Sequence, residues 1–256
     1  TSAPLALNFI DVKGGLASCG LPPQSQGFFF DNETPNHQVF INDFSVANRL
    51  TTNREYLAFI EDGGYQRHEL WLSDAWGLLQ QEQWKAPLYW QLLDSQWHEY
   101  TLLGISPIVL DSPVTHVSYY EADAYARWCD HQLLTEFQWE RLASSQPIQG
   151  NFIDSEELHP RIAVSDNSVS VNGESSIHQL FGDVWEWTQS SYSPYPGFRP
   201  AKGAVGEYNG KFMCNQQILR GGSCVSDQQH LRSTYRNFFY PAARWQFSGI
   251  RIAKNN

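Results

Sequence analysis

The sequence predicts a single α+β domain with low regular secondary structure, in which short helices sit around small antiparallel sheets. Three observations predict it: helix-start signals that open short apolar stretches, brief runs of alternating hydrophobicity, and long irregular segments rich in aromatic residues. One domain over residues 1–256 is expected, although 256 residues would also accommodate two smaller ones.

Each of three short helices opens on a Ser or Thr followed three residues later by Glu or Gln, the reciprocal pattern that satisfies orphan N–H groups. Thr52 and Glu55 precede Tyr56, Leu57, Phe59 and Ile60, and Gly63-Gly64 supplies a left-handed stop. Ser118 and Glu121 precede Ala122, Tyr125, Ala126 and Cys129, which share one face at helical spacing. Thr135 and Gln138 open the third, with Phe137, Trp139 and Leu142 as its apolar positions. Strands are expected at Val39, Ile41, Phe44 and Val46, whose alternation contains a slip, and where Ile250 and Ile252 flank Arg251. From Gly197 to Arg220 the chain is rich in Gly, Pro, Asn and Lys without periodicity, and a long ordered loop of that kind is usually functional or packed by its own side chains.

Hydrophobic residues make up 41% of the chain and charged ones 17%, with 10 Trp, 12 Tyr and 15 Phe, so bulky aromatics must hold the irregular segments and a folded chain is expected. A net charge of −10 provides no general footprint for nucleic acid or anionic lipid, so small ligands are the expected partners. No apolar run approaches the roughly 20 residues of a membrane helix, and the first residues carry neither a basic nor an apolar signal region. Cys19, Cys129, Cys214 and Cys224 are too sparse for a disulfide scaffold, so reduced thiols and a cytoplasmic location are expected. The one methionine is Met213, so Thr1 is not an initiator and an upstream segment is expected.

Several chemistries fail on spacing. No two of the eight histidines lie three to five residues apart, and no cysteines form a CxxC pair, so a local metal site is not expected. G-x-S-x-G and G-x-x-x-x-G-K-[ST] are both absent, which removes the usual serine-nucleophile and nucleotide-phosphate designs. Gly221-Gly222-Ser223 reads as a close backbone approach or bulge.

Phe181-Gly182-Asp183-Val184-Trp185-Glu186-Trp187-Thr188, then Leu219-Arg220-Gly221-Gly222-Ser223, then Ser248-Gly249-Ile250-Arg251 resemble the formylglycine-generating-enzyme (sulfatase-modifying factor) fold, which is related to C-type-lectin-like scaffolds. Leu134-Thr135-Glu136-Phe137-Gln138-Trp139-Glu140 resembles the family's L-P-T-E-x-E-W-E element, with Leu134 at the usual proline. Within that fold, five blocks resemble the sulfoxide synthases of ergothioneine biosynthesis (EgtB): Gly63-Gly64-Tyr65, Tyr119-Tyr120-Glu121-Ala122, Tyr192-Ser193-Pro194-Tyr195-Pro196-Gly197-Phe198, Gly206-Glu207-Tyr208-Asn209-Gly210-Lys211 and Tyr235-Arg236-Asn237-Phe238-Phe239-Tyr240. Formylglycine generation itself needs two cysteines after the Gly-Gly-Ser turn; only Cys224 follows it, and Ser226 and Leu231 stand at the expected positions.

The resemblance implies an iron(II)- and O2-dependent enzyme that joins the sulfur of cysteine or γ-glutamylcysteine to the imidazole of trimethylhistidine. Its iron ligands would lie on an N-terminal DinB-like helical domain upstream of Thr1. Tyr192 is the implied catalytic residue, since a phenol with a pKa near 10 keeps its proton at neutral pH and can donate it. Tyr195 would help place the imidazole or a bridging water, and Asn237 would bind the substrate through its amide. A trimethylammonium group donates no hydrogen bond and needs aromatic faces, which Phe238 and Phe239 offer. Relatives that use γ-glutamylcysteine carry an Asp and an Arg where this chain has Phe239 and Ala243, which points to free cysteine; Arg244 is a candidate partner for a carboxylate or a structural ion pair. Asp183 and Glu186 are candidates for a structural Ca2+, with backbone satisfaction as the other role of Glu186. A selenium-coupling branch of the family and a non-catalytic ligand-binding module are the alternative functions.

Overall fold

The computed structural model describes residues 3–164 and 177–255. All three expected helices form behind the expected caps: α1 is Asn53–Glu61 and begins at Thr52, whose side chain accepts from the Glu55 N–H while the Glu55 carboxylate accepts from the Thr52 N–H. Gly63 then takes the left-handed conformation that ends the helix. A second helix, α2, spans Ser73–Glu82 and was not expected; its cap is Leu72, which has no side-chain acceptor to announce it. Helix α3 (Tyr119–Trp128) starts behind Ser118 and α4 (Glu136–Ala143) behind Thr135, each with a complete capping box. Two capping carboxylates also hold arginines, Glu55 with Arg49 and Glu121 with Arg244.

The strands are short and fall into five small sheets among the described residues. One four-stranded antiparallel sheet has the order Phe9–Val12, Phe44–Ala47, Ile252–Asn255, Gln132–Leu133 and so ties both ends of the chain together. The slip in alternation after Ile41 marks a change of sheet: His37–Ile41 pairs with Gly15–Cys19, whereas Phe44–Ala47 joins the four-stranded sheet. A second four-stranded sheet has the order Asn237–Phe239, Gln217–Arg220, Trp185–Ser191, Ser248–Gly249. Its last pair is parallel, as is Gly150–Asn151 with Phe181–Gly182, so the sheets are not all antiparallel. Each parallel pairing involves only two residues of each strand, from segments far apart in sequence, a contact that local alternation does not encode.

Helices α1 and α3 pack through aromatic rings, with Tyr56 stacked on Tyr125 at 5.5 Å and Phe59 edge-on to Tyr125. The second sheet is fastened from beneath by buried ion pairs. Arg251 meets Glu186 through both Nε and a terminal nitrogen, and Arg220 reaches Glu136 and Glu140 at 3.0 and 2.8 Å. Burial of unpaired charge is expensive, so removing one partner of such a pair typically destabilises a fold by about 3–5 kcal/mol. The Gly221-Gly222 turn is a close approach as expected: a Cβ on Gly221 would lie 2.7 Å from the Leu180 carbonyl oxygen, and both glycines have positive φ. Among the described residues no helix is long and apolar enough to cross a membrane.

Candidate functional site

Four segments converge on one side of the second sheet: the Phe30–Glu33 turn, the Tyr192 segment, the irregular loop before Gln217, and the strand Asn237–Phe239. They leave two neighbouring depressions. A groove of about 730 Å³ is lined by Tyr119, Tyr120, Tyr192, Cys214 and Tyr240 among others. Beside it, a cavity of about 440 Å³ is walled by Phe30, Tyr208, Phe212, Tyr235, Phe238 and Phe239, with Asn32, Asn209 and Asn237 as polar points.

Tyr192 and Phe238 form the partition between them. Their rings stack with centroids 4.0 Å apart and planes 10° from parallel. The Tyr192 oxygen accepts a 2.9 Å hydrogen bond from Asn32 Nδ2, and burial pushes the phenol pKa up to about 12. Tyr192 therefore carries its proton throughout the neutral range. Asn237 lies on the cavity wall, where its Oδ1 accepts from the Phe238 N–H, and Phe239 meets Trp245 edge-on at 5.2 Å.

Two expected site residues are placed elsewhere. Tyr195 turns into the protein: Arg220 donates to its hydroxyl at 3.2 Å, and the Arg236 guanidinium lies 4.0 Å over its ring. It belongs to the buried Glu136–Arg220–Arg236 network and lines neither depression. Arg244, only 7% exposed, pairs with Glu121 at 2.9 Å, donates to the Ala86 carbonyl and covers the Trp84 ring. Of its two candidate roles the structure selects the internal ion pair, because the capping carboxylate of α3 needs a counter-charge where it is buried.

The donors near Asp183 and Glu186 do not fit a calcium ion. Both Glu186 oxygens accept from Arg251, and one also accepts from the Trp139 indole. Asp183 Oδ1 accepts from Asn151 Nδ2 and the Arg161 N–H. At Glu186 a guanidinium already holds the charge that a cation would need. Among the described residues no group of three His, Cys, Asp or Glu side chains is arranged to hold a metal ion. All four cysteines are free thiols, and burial pushes Cys19, Cys129 and Cys224 up to about 12, which keeps them from acting as thiolates near neutrality.

Sequence reasoning missed Asn32, Phe30 and Phe212 as parts of the site. Nothing in the sequence around Phe30 signals that Asn32, two residues on, reaches Tyr192, 160 positions away.

The short capped helices, the small sheets and the glycine turn behind an aromatic cavity define a formylglycine-generating-enzyme-like domain. The chain belongs to the sulfatase-modifying factor enzyme 1-like domain family, which it matches over residues 4–256. It is 32% identical to the hercynine oxygenase of Mycolicibacterium smegmatis over 94% of this chain and 60% of that protein. To the hercynine oxygenase of Mycobacterium tuberculosis it is 33% identical over 87% of this chain and 55% of the relative. Ergothioneine biosynthesis protein 1 of Schizosaccharomyces pombe is 26% identical over 98% of this chain and 31% of its own length. The chain thus spans little more than half of the mycobacterial relatives. PvdO from Pseudomonas aeruginosa superposes over the full length of both chains with a TM-score of 0.60 at 16% identity, a likeness of fold alone.

Proposed function

We propose that this chain is the substrate-binding domain of an oxygen-dependent sulfoxide synthase of the ergothioneine type, and that its aromatic cavity takes the trimethylammonium group of trimethylhistidine. The observation that carries the reading is the partition itself, in which a protonated phenol lies flat on the wall of a cavity walled by aromatic rings. A quaternary ammonium gains about 0.5–2 kcal/mol from each such face and asks for no hydrogen-bond acceptor. The names of the mycobacterial and fission-yeast relatives support the same reading.

In this proposal iron(II) is held by a DinB-like helical domain outside the present chain, and it supplies the activation of O2. This chain binds and orients the ligand, excludes water from the aromatic cavity, and holds a proton at Tyr192 Oη. The thiol donor is free cysteine. In support, Phe239 and Ala243 stand where γ-glutamylcysteine-using relatives carry charged residues, and Arg244 is engaged with Glu121. The setting is cytoplasmic, in keeping with four free thiols.

The test is turnover by the polypeptide carrying its upstream segment, loaded anaerobically with Fe(II) and supplied with trimethylhistidine, cysteine and then O2. Mass spectrometry should find a sulfoxide linking cysteine sulfur to the imidazole. A protein that binds iron but neither binds nor consumes trimethylhistidine would refute the reading.

A further inference from the structure

Asn32 is 2% exposed, lines the aromatic cavity, and donates from its side-chain amide to the Tyr192 hydroxyl. Its amide orientation is fixed by chemistry. The nitrogen lies 3.3 Å from the Arg236 carbonyl oxygen, which can only accept, so the NH2 group must face both Arg236 and Tyr192. Two consequences follow. Tyr192 Oη is the acceptor in its bond with Asn32, which leaves the phenol proton uncommitted to that bond. Asn32 Oδ1 points away from both partners and has no hydrogen-bond donor among the described residues, although it is buried. A buried acceptor without a donor is costly, and a ligand N–H in the cavity would relieve it.

We propose that Asn32 is a positioning and specificity residue: its NH2 group holds Tyr192 with the phenol proton free for the site, and its Oδ1 accepts the imidazole N–H of the ligand. This rests on the reading of the cavity as a trimethylhistidine site. Trimethylhistidine offers no other N–H, because its quaternary nitrogen carries no hydrogen and its carboxylate only accepts. The aromatic walls then hold the trimethylammonium end and Asn32 reads the ring.

Two substitutions and one ligand change separate the roles, using the polypeptide that carries its upstream segment. Asn32→Asp keeps an acceptor for the ring but loses the donor to Tyr192, and the phenol then donates to the new side chain. It should lower kcat by at least about tenfold and change the calorimetric Kd for trimethylhistidine by less than about threefold. Asn32→Leu removes both functions and should weaken Kd by about tenfold as well. A merely structural asparagine would lower Tm in both variants without this split between kcat and Kd. Unmodified protein should bind trimethylhistidine methylated on its ring nitrogen about tenfold more weakly, a readout that needs no variant to fold. Full turnover by Asn32→Asp, or equal affinity for the ring-methylated ligand, would overturn the proposal while leaving the functional reading intact. If the unmodified protein binds no trimethylhistidine, the functional reading fails first and this inference falls with it.

Discussion

The ring of Tyr192 lies on the ring of Phe238 at 4.0 Å, so the proposed proton donor and the wall of the aromatic cavity are one packed unit. Any change to one ring is felt by the other, whereas loss of the hydroxyl leaves the stack in place.

Tyr192→Phe keeps the stack and removes the hydroxyl. Sulfoxide formation should fall about 10²-fold or more, the range for losing a positioned proton donor. The affinity for trimethylhistidine should change little, because the aromatic faces remain. Steady-state rates alongside calorimetric titration check both halves; an unchanged rate would remove Tyr192 from the chemistry.

Phe238→Leu keeps apolar volume and removes one aromatic face. Binding of trimethylhistidine should weaken by about 0.5–2 kcal/mol, and the preference over unmethylated histidine should narrow. Competitive titration of the two ligands measures this. Equal losses for both would show that Phe238 supplies shape alone.

Arg244→Ala should act on stability. It strands the Glu121 carboxylate, which is fully buried and already accepts from Tyr65 and the α3 cap. A loss of about 3–5 kcal/mol is expected in denaturant unfolding. The double variant with Glu121→Gln should recover part of it, whereas an effect confined to cysteine affinity would return Arg244 to the substrate site.

His116 supplies a pH dependence. Its imidazole is buried between Tyr89 and Phe247, and burial lowers its pKa from 6.5 to about 4. Between those values the unfolded chain binds the proton and the folded chain does not. Stability is therefore full above about pH 6.5 and declines as the pH falls toward 4, by about 3 kcal/mol in all. His116→Asn, which tolerates the positive φ of this position, should flatten that difference when unfolding free energies are compared from pH 7 to 4.

What the sequence disclosed follows the range of each interaction. The caps at Thr52, Ser118 and Thr135 were legible because both halves of a capping box lie within four residues. Helix α2 was not, since Leu72 leaves no polar signature at its start. The alternation of Ile250 and Ile252 about Arg251 does not disclose that Arg251 is itself buried, because its partner Glu186 lies 65 positions away. Tyr192, Asn237, Phe238 and Phe239 were legible through motif blocks, and three of them line the same cavity. Tyr195, three residues from Tyr192, shares the Arg236 guanidinium with it, but the Tyr192 hydroxyl meets Asn32 at the cavity whereas the Tyr195 hydroxyl meets buried Arg220, a difference that three-residue spacing does not encode. Asn32 sits in no motif, and only the folded chain brings it to Tyr192.

The central claim is that the aromatic cavity beside Tyr192 recognises a trimethylammonium group, and a calorimetric comparison of trimethylhistidine with histidine on the polypeptide carrying its upstream segment tests it most directly. The account predicts binding of the trimethylated ligand at least about tenfold tighter, as two or three aromatic faces would provide, with Phe238→Leu reducing that margin. Equal affinity for the two ligands, or a preference for histidine, would contradict it.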